Sequence, residues 1–198
     1  MARDLRFKIA DDAREVEAIH RLIYRTFVLE IPQHPANAEQ HLVDRFHAEN
    51  TYLVALDGDE LAGMLALRTR RPFSLDLKLP DLDTLLPPAG RIGEVRLLAV
   101  DPRYRRSRVL PGLFALLERE CLVRALDLLI VSATTRQRRL YERLGFVPFG
   151  PLVGHEGAWF QPVESPKILG GHQPVRFQDE RVAAAEHHHH VAEFSHAG

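Results

Sequence analysis

The segment Leu126–Ala133, LDLLIVSA, is an apolar run broken only by Asp127 and Ser132. A strand that is apolar at successive positions has no face to give to water, so it belongs inside a sheet covered on both sides. Gly93–Val100 (GEVRLLAV) reads as a second strand. Between them Leu110–Ala125 carries Leu113, Leu116, Leu117 and Glu120 at helical spacing, with Pro111 fitting only in the first turn. Strand, helix and buried strand over Gly93–Ala133 predict a right-handed parallel crossover. The turn Asp101–Arg108 then lies at the carboxyl end of a strand and feeds a helix N-terminus, where open α/β sheets tend to bind ligands.

The remaining elements are placed around this unit. Leu5–Ala10 alternates as a short strand. From Asp12 the apolar residues Val16, Ile19, Ile23 and Phe27 share a helical face, with Asp11 or Asp12 as cap and Pro32 beyond the end. Ala36–Glu49, with Leu42 and Phe46 four apart, reads as a weaker second helix. Thr51–Asp57 and Glu60–Thr69 form a hairpin across Gly58–Asp59. Arg70–Arg91 is punctuated by prolines yet carries six leucines between Leu75 and Leu86, too many for a solvated loop, so part of it covers core or lines a site. Thr135–Leu144 is a short helix stopped by Gly145. Phe146–Phe149 and Ala158–Val163 close the sheet as a strand pair. The predicted order is β-α-α-β-β-β-α-β-α-β-β, a mixed α/β sheet, in one domain over residues 1–164. Residues 165–198, with Gly170–Gly171, three alanines and His187–His190, are expected to form a flexible tail.

At 198 residues, 45% hydrophobic and 27% charged, the composition is that of one globular domain. A net charge of −1 gives no global pull toward nucleic acid or anionic membrane. The charged N-terminus lacks the apolar core of a signal peptide, and no apolar run reaches the ~20 residues of a membrane span, so a cytoplasmic location is expected. The single cysteine, Cys121, excludes an intrachain disulfide; Leu117, Leu122 and Val123 around it suggest a buried thiol on a helix. His20, His34, His41 and His47 are scattered and read as surface or loop residues. No paired His/Cys spacing marks a zinc site.

Two segments carry chemistry. In Val100-Asp-Pro-Arg-Tyr-Arg-Arg-Ser-Arg-Val-Leu110, Arg103, Arg105, Arg106 and Arg108 crowd the start of a helix. Free first-turn amides and guanidinium groups there suit phosphate, although a solvated basic turn has the same composition. Thr134-Thr-Arg-Gln-Arg-Arg-Leu-Tyr-Glu-Arg-Leu-Gly-Phe146 is the second. Together they resemble the GNAT N-acyltransferase family, whose strand ends in V-x-P-x-Y-R-G-x-G and which later shows N-x-x-A-x-x-L-Y-x-x-L-G-F. Val100, Pro102, Tyr104 and Arg105 match the first motif; Leu140, Tyr141, Leu144, Gly145 and Phe146 match the second. The order of elements matches from about Leu5 to Val163.

This resemblance implies the GNAT acyl-CoA N-acyltransferase fold and direct transfer of an acetyl or longer acyl group from acyl-CoA to a primary amine, with no metal. It implies a donor running along Leu98, Ala99 and Val100, with its phosphates over Arg105, Arg106, Ser107, Arg108, Val109 and Leu110, and with Thr134 across from them. Glu94 matches the family's general base and Tyr141 its general acid, and a backbone amide near Leu97 or Leu98 polarises the thioester. The bland reading of Glu94 is a surface pair with Arg96, since both point to one face; that of Tyr141 is a packed aromatic. Arg106, Arg108 and Leu110 stand where the family has glycines, which narrows a backbone cradle or substitutes side chains for it.

A looser resemblance links Arg25, Glu30, Asp44, Arg68, Glu94 and, one position displaced, Arg96 to acyl-homoserine lactone synthases and N-acyl amino acid synthases. This GNAT-like branch takes acyl chains from acyl carrier protein. It implies Arg25, Glu30, Arg68 and Arg96 as acceptor contacts, an amine or amino acid as acceptor, and an acidic carrier protein as partner for the arginine turn. The leucine-rich segment suits a long acyl chain. A non-catalytic acyl-binding module is the third reading. Nucleic acid ranks last, for want of an aromatic platform; a monomer or homodimer is expected.

Overall fold

The computed structural model describes residues 4–155 and 158–165. The tail expected from residue 165 lies outside them apart from Ser165, which is buried and whose hydroxyl accepts from Leu129 N at 3.0 Å. One mixed sheet runs through the molecule in the order β1-β2-β3-β4-β5-β8-β6, with β7 also paired to β8. Its strands are β1 Leu5–Ile9, β2 Thr51–Asp57, β3 Glu60–Arg68, β4 Ile92–Val100, β5 Leu128–Thr134, β6 Val147–Pro148, β7 Val153–His155 and β8 Ala158–Glu164. Only β4 and β5 are parallel, as the strand–helix–strand pattern required. Among the described residues four α-helices accompany them: α1 Ala13–Tyr24, α2 Leu82–Leu85, α3 Val109–Val123 and α4 Arg138–Arg143.

The apolar strands are explained by cover on both faces. On β2, Leu53 and Ala55 join the core under α3, whereas Tyr52, Val54 and Leu56 join a second core under α1. On β3, Leu65 and Leu67 go to the first and Met64 and Ala66 to the second. Asp12 caps α1 by accepting from Arg14 N at 2.7 Å. The helix does not end at Tyr24 but loosens into a π-helical turn over Arg25–Glu30, just before Pro32. Cys121 is buried on α3, and burial pushes its thiol up to about 12, so it is inert as a nucleophile.

The expected helix over Ala36–Glu49 is not there; only a 3-10 turn at His47–Glu49 forms. Side chains outcompete the helical ladder. Asn37 accepts from His41 N at 3.2 Å and donates to His41 O at 2.8 Å, and Asp44 accepts from Phe46 N at 3.0 Å. Gln40 takes a positive φ of 51°, which no α-helix admits. The histidines also differ from expectation. His34 is exposed, but His20 is buried and meets His41 and His47 in edge-to-face contacts.

Phe7 of β1 sits on Gly112 of α3, where a Cβ would come within 2.1 Å of the ring. Gly112→Ala is therefore expected to destabilise the fold by roughly 1–3 kcal/mol in urea unfolding, with Phe7→Leu in the same chain restoring part of the loss.

Candidate active site

β4 and β5 begin as neighbours and then part. Their pairing runs from Ile92↔Leu128 to Val95↔Val131 and stops. Beyond it β4 pairs with β3 alone and β5 with β8 alone. The cause lies in β4. Two residues, Leu97 and Leu98, stand opposite the single Leu65 of β3, because Met64 pairs with Ala99 and Ala66 with Arg96. Leu97 holds a φ of 55°, outside the regular strand range. This bulge turns the end of β4 away from β5. The opening so made has strand backbone on both sides, Arg96–Val100 facing Ser132–Thr134, and the predicted oxyanion amide near Leu97 or Leu98 falls on the bulge.

At one end of the opening is the arginine turn. Arg105 donates through Nε to Val100 O at 3.3 Å and pairs with Glu30. Arg103 is held by Asp101 at 3.0 Å and Glu60 at 2.9 Å. Tyr104 fixes the turn to the β2–β3 hairpin by donating to Asp57 and Glu60. Arg106 and Arg108 are exposed, and no acid among the described residues pairs with them. The backbone cradle itself is thin: Val109 N already donates to Ser107 Oγ at 3.2 Å, and Pro111 has no N–H. Leu98 and Ala99 are buried, Val100 and Leu110 partly so. Thr134, buried at the end of β5, donates to Gln137 Oε1 at 3.3 Å. Tyr141 is 3% exposed, edge-on to Phe146 at 5.5 Å. Burial pushes its phenol well up, which keeps it protonated as a general acid must be, while opposing its ionisation.

The acceptor residues named from sequence fall into two groups. Arg25 and Glu30, on the π-helical turn, face the arginine turn; Arg25 Nη2 is 3.4 Å from Asp101 Oδ2. Arg68 and Arg96 lie apart from them, side by side over the Phe46 ring at 4.1 and 4.7 Å. Arg68, 2% exposed, donates to Glu49 and Pro72 O, each at 2.8 Å. Arg96 grips Asp44 with two hydrogen bonds of 2.6 and 3.0 Å. Burial works against the Asp44 charge, yet the Arg96 contacts, Asn50 and the Phe46 N–H hold its carboxyl below the usual range.

Glu94 is 0% exposed. Its pair with Arg96, at 3.5 Å, is a buried one. Its oxygens accept from Ser74 N at 2.8 Å, Ser74 Oγ at 2.6 Å and Leu75 N at 3.1 Å. The leucine-rich segment is thereby strapped over β4. Phe73, Leu75, Leu79 and Leu82 are buried in a third core with Leu128, Ile130 and Phe149. The expectation that this segment covers core holds, though Leu77 is 56% exposed.

Lys78, on the same strap, was not signalled by the sequence, since a lysine in a proline-rich stretch looks solvated. Its Nζ donates to Ser132 Oγ at 2.8 Å, at the first β5 residue past the last β4–β5 pair, and lies 3.9 Å over the Phe160 ring. Burial lowers its pKa to about 8, despite the attraction of Glu94. Between about pH 8 and 10.5 the unfolded chain thus binds more protons than the folded one, and stability contributed here rises with pH. In paired urea melts, Lys78→Met is expected to gain stability over wild type at pH 7 and to lose that advantage by about pH 10.5.

A shallow depression of about 520 Å³ lined by Arg71, Arg91 and Arg124 lies at the opposite end of β4. Its cations are committed, Arg71 to Asp76 and Asp83, Arg91 to Arg124 O and Arg124 to Glu120. It is not the site.

A mixed sheet split beside a strand bulge, with a basic turn at the mouth, is the fold of the GNAT-type acyltransferases. The family model for the N-acyl amino acid synthase FeeM matches residues 18–163, and the chain belongs to that family. Solved structures agree on the fold. The acyl-homoserine lactone synthase LasI is 16% identical with a TM-score of 0.72, over 89% of this chain and 96% of that one. The CoA-dependent acyl-homoserine lactone synthase BjaI is 23% identical with a TM-score of 0.66, over 77% and 75%. FeeM from uncultured soil microbes is 16% identical with a TM-score of 0.61, over 83% and 93%. No curated protein matches the sequence. The protein is an enzyme that transfers acyl groups. No helix among the described residues is long and apolar enough to cross a membrane.

Proposed function

We propose that the protein joins a long acyl chain, delivered as a phosphopantetheine thioester on a carrier protein, to the amine of an amino acid. The observation that carries this reading is the split between β4 and β5, walled on one side by a leucine-rich strap and entered past two unpaired arginines. A pantetheine arm is a peptide-like chain and can supply hydrogen-bond partners to both parted strands. Arg106, Ser107 and Arg108 would receive its phosphate, and the thin amide cradle at the α3 N-terminus suits one phosphate better than a pyrophosphate.

The thioester oxygen would accept from the bulge amide at Leu97 or Leu98 as negative charge builds on it. The acceptor ammonium gives a proton to the Ser74 hydroxyl, which passes its own to Glu94 Oε1. The free amine attacks the thioester carbon and the C–S bond breaks. The departing thiolate takes a proton from Tyr141, which is restored by the second proton leaving the nitrogen. Amide, thiol and one proton on Glu94 result. Arg68, held by Glu49, and Arg96, held by Asp44 and Glu94, would fix the shape of the acceptor side rather than offer it a free charge. Arg25 and Glu30 serve the donor end instead, by holding Asp101 and Arg105.

The direct test is a matrix of acetyl, octanoyl and palmitoyl groups, each as CoA and as carrier-protein thioesters, against amino acids and simple amines. Amide formation from the long carrier-bound donors and amino acids is expected. Turnover confined to acetyl-CoA would move the reading to an ordinary acetyltransferase, and thioester binding without transfer to any amine would remove it.

A further inference from the structure

A second cluster of chemistry-bearing groups lies outside this site. Glu17 and His20 stand three apart on α1 and so share one face. His41 comes to them from the irregular segment after the π-helical turn. The Nε2 of His41 is 2.9 Å from Glu17 Oε2 and 3.1 Å from His20 Nδ1. One ligand atom from each of the three residues lies within 4.8 Å of the others.

Proton counting shows what the cluster lacks. A neutral His41 ring has at most one proton to place on Nε2. Aimed at the Glu17 carboxylate, it leaves His20 Nδ1 without a good partner; moved to His20 Nδ1, it leaves a lone pair facing a carboxylate. Three electron-pair donors converging on one point are what a single cation satisfies. Ligands bound at ~2.0–2.1 Å in a tetrahedron stand about 3.3 Å apart, so the two separations at His41 need to open by only a few tenths of an ångström, and the third already lies within 4.8 Å.

The surroundings are those of a built site. His20 is 6% exposed, and its other nitrogen, Nε2, lies 3.4 Å from His47 Nδ1, which in turn meets Tyr52 OH at 3.1 Å. Such an outer hydrogen bond fixes the tautomer and orientation of a ligating imidazole. His41 is positioned by both backbone bonds to Asn37, whose own N–H donates to Tyr24 OH at 3.3 Å. The nitrogen-rich, single-carboxylate set suits Zn²⁺ rather than Mg²⁺ or Ca²⁺.

We infer that Glu17, His20 and His41 bind one Zn²⁺ ion, with a fourth position left for water. The ion would clip α1 to the segment that, three residues after His41, carries Asp44 onto Arg96. Its role is to fix that segment. Its binding does not depend on which acyl donor or acceptor the enzyme uses.

The test begins with the full-length chain in which His187, His188, His189 and His190 are each replaced by Ala, so that the tail histidines do not compete. Zn²⁺ is titrated by calorimetry at pH 7.5, Tm is followed with and without metal, and Co²⁺ absorption reports geometry. One equivalent bound at micromolar or tighter Kd, with a raised Tm and tetrahedral Co²⁺ bands, is expected. Glu17→Gln and His41→Ala, both at partly exposed positions, are expected to weaken binding roughly 10–100-fold and to abolish the Tm rise. Binding of less than half an equivalent by the parent, or unchanged affinity in both variants while their metal-free Tm shows them folded, would overturn the site.

Discussion

Replacing Glu94 with Gln is expected to lower both turnover and stability, and Ser74→Ala is expected to lower turnover almost alone. In the wild type the Glu94 carboxylate accepts three hydrogen bonds from Ser74 and Leu75 and faces Arg96, all away from water. Gln presents an NH₂ where one of those donors already points, and it removes the charge opposite the Arg96 guanidinium. Breaking a buried pair from one side costs roughly 3–5 kcal/mol, or a Tm fall of about 10 °C for a domain of this size. The loss of the proton acceptor adds about 10²–10⁴-fold in kcat. Ser74→Ala keeps both backbone N–H bonds to Glu94 and deletes only the hydroxyl that would relay the proton. A Tm near wild type with kcat down at least ~10²-fold in Ser74→Ala supports the relay. Wild-type kcat in Ser74→Ala would leave Glu94 with the strap and Arg96 alone.

The second large effect concerns the donor. Arg106→Glu/Arg108→Glu reverses two exposed charges that no described acid holds. Each charge-assisted contact to phosphate is worth about 1.5–3 kcal/mol, so KM for the donor should rise roughly 100-fold or more with kcat nearly constant. Because both residues are exposed, salt should weaken wild-type donor binding and narrow the difference between the two proteins. The defect should be greater for a carrier-protein donor than for the same acyl group on CoA, since an acidic carrier adds repulsion over a wider surface. Unchanged KM for both donors would place the phosphate elsewhere.

Much of this architecture could be read before any coordinates, for identifiable reasons. Leu126–Ala133 announced a doubly covered strand because nothing in it suits water. Asp11 or Asp12, Gly58 and Gly145 marked a cap, a hairpin and a helix stop, because those positions need particular local chemistry; Asp12 proves to be the cap, and Gly58 and Gly145 hold φ of 62° and 84°. The Glu94–Arg96 pair followed from strand alternation, but its burial did not, because the cover comes from Ser74 and Leu75, twenty residues upstream. The segment 36–49 misled for a different reason. Leu42 and Phe46 have helical spacing, yet Leu42 packs beside the α1 core while Phe46 lies under Arg68 and Arg96. Spacing records only that both are buried, not that a helix buries them. His20, His41 and His47 could be joined only by a chain path with no periodicity to follow. Lys78 stayed hidden because its partners, Ser132 and Phe160, come from strands formed more than fifty residues later.

The bulge at Leu97 and Leu98 also bears on how the protein avoids misassembly. Any sheet with unsatisfied rungs invites another chain to dock on them, and proteins guard such rims with short strands or charges. Here the vacant rungs of β4 and β5 face each other within the sheet, so only something as slender as a single extended arm can reach both. Under the proposed function, a seated arm would pair with both strands where they part. The amides of Leu97–Val100 should then exchange their protons more slowly, so backbone protection there reports occupancy of the opening without any label on the ligand.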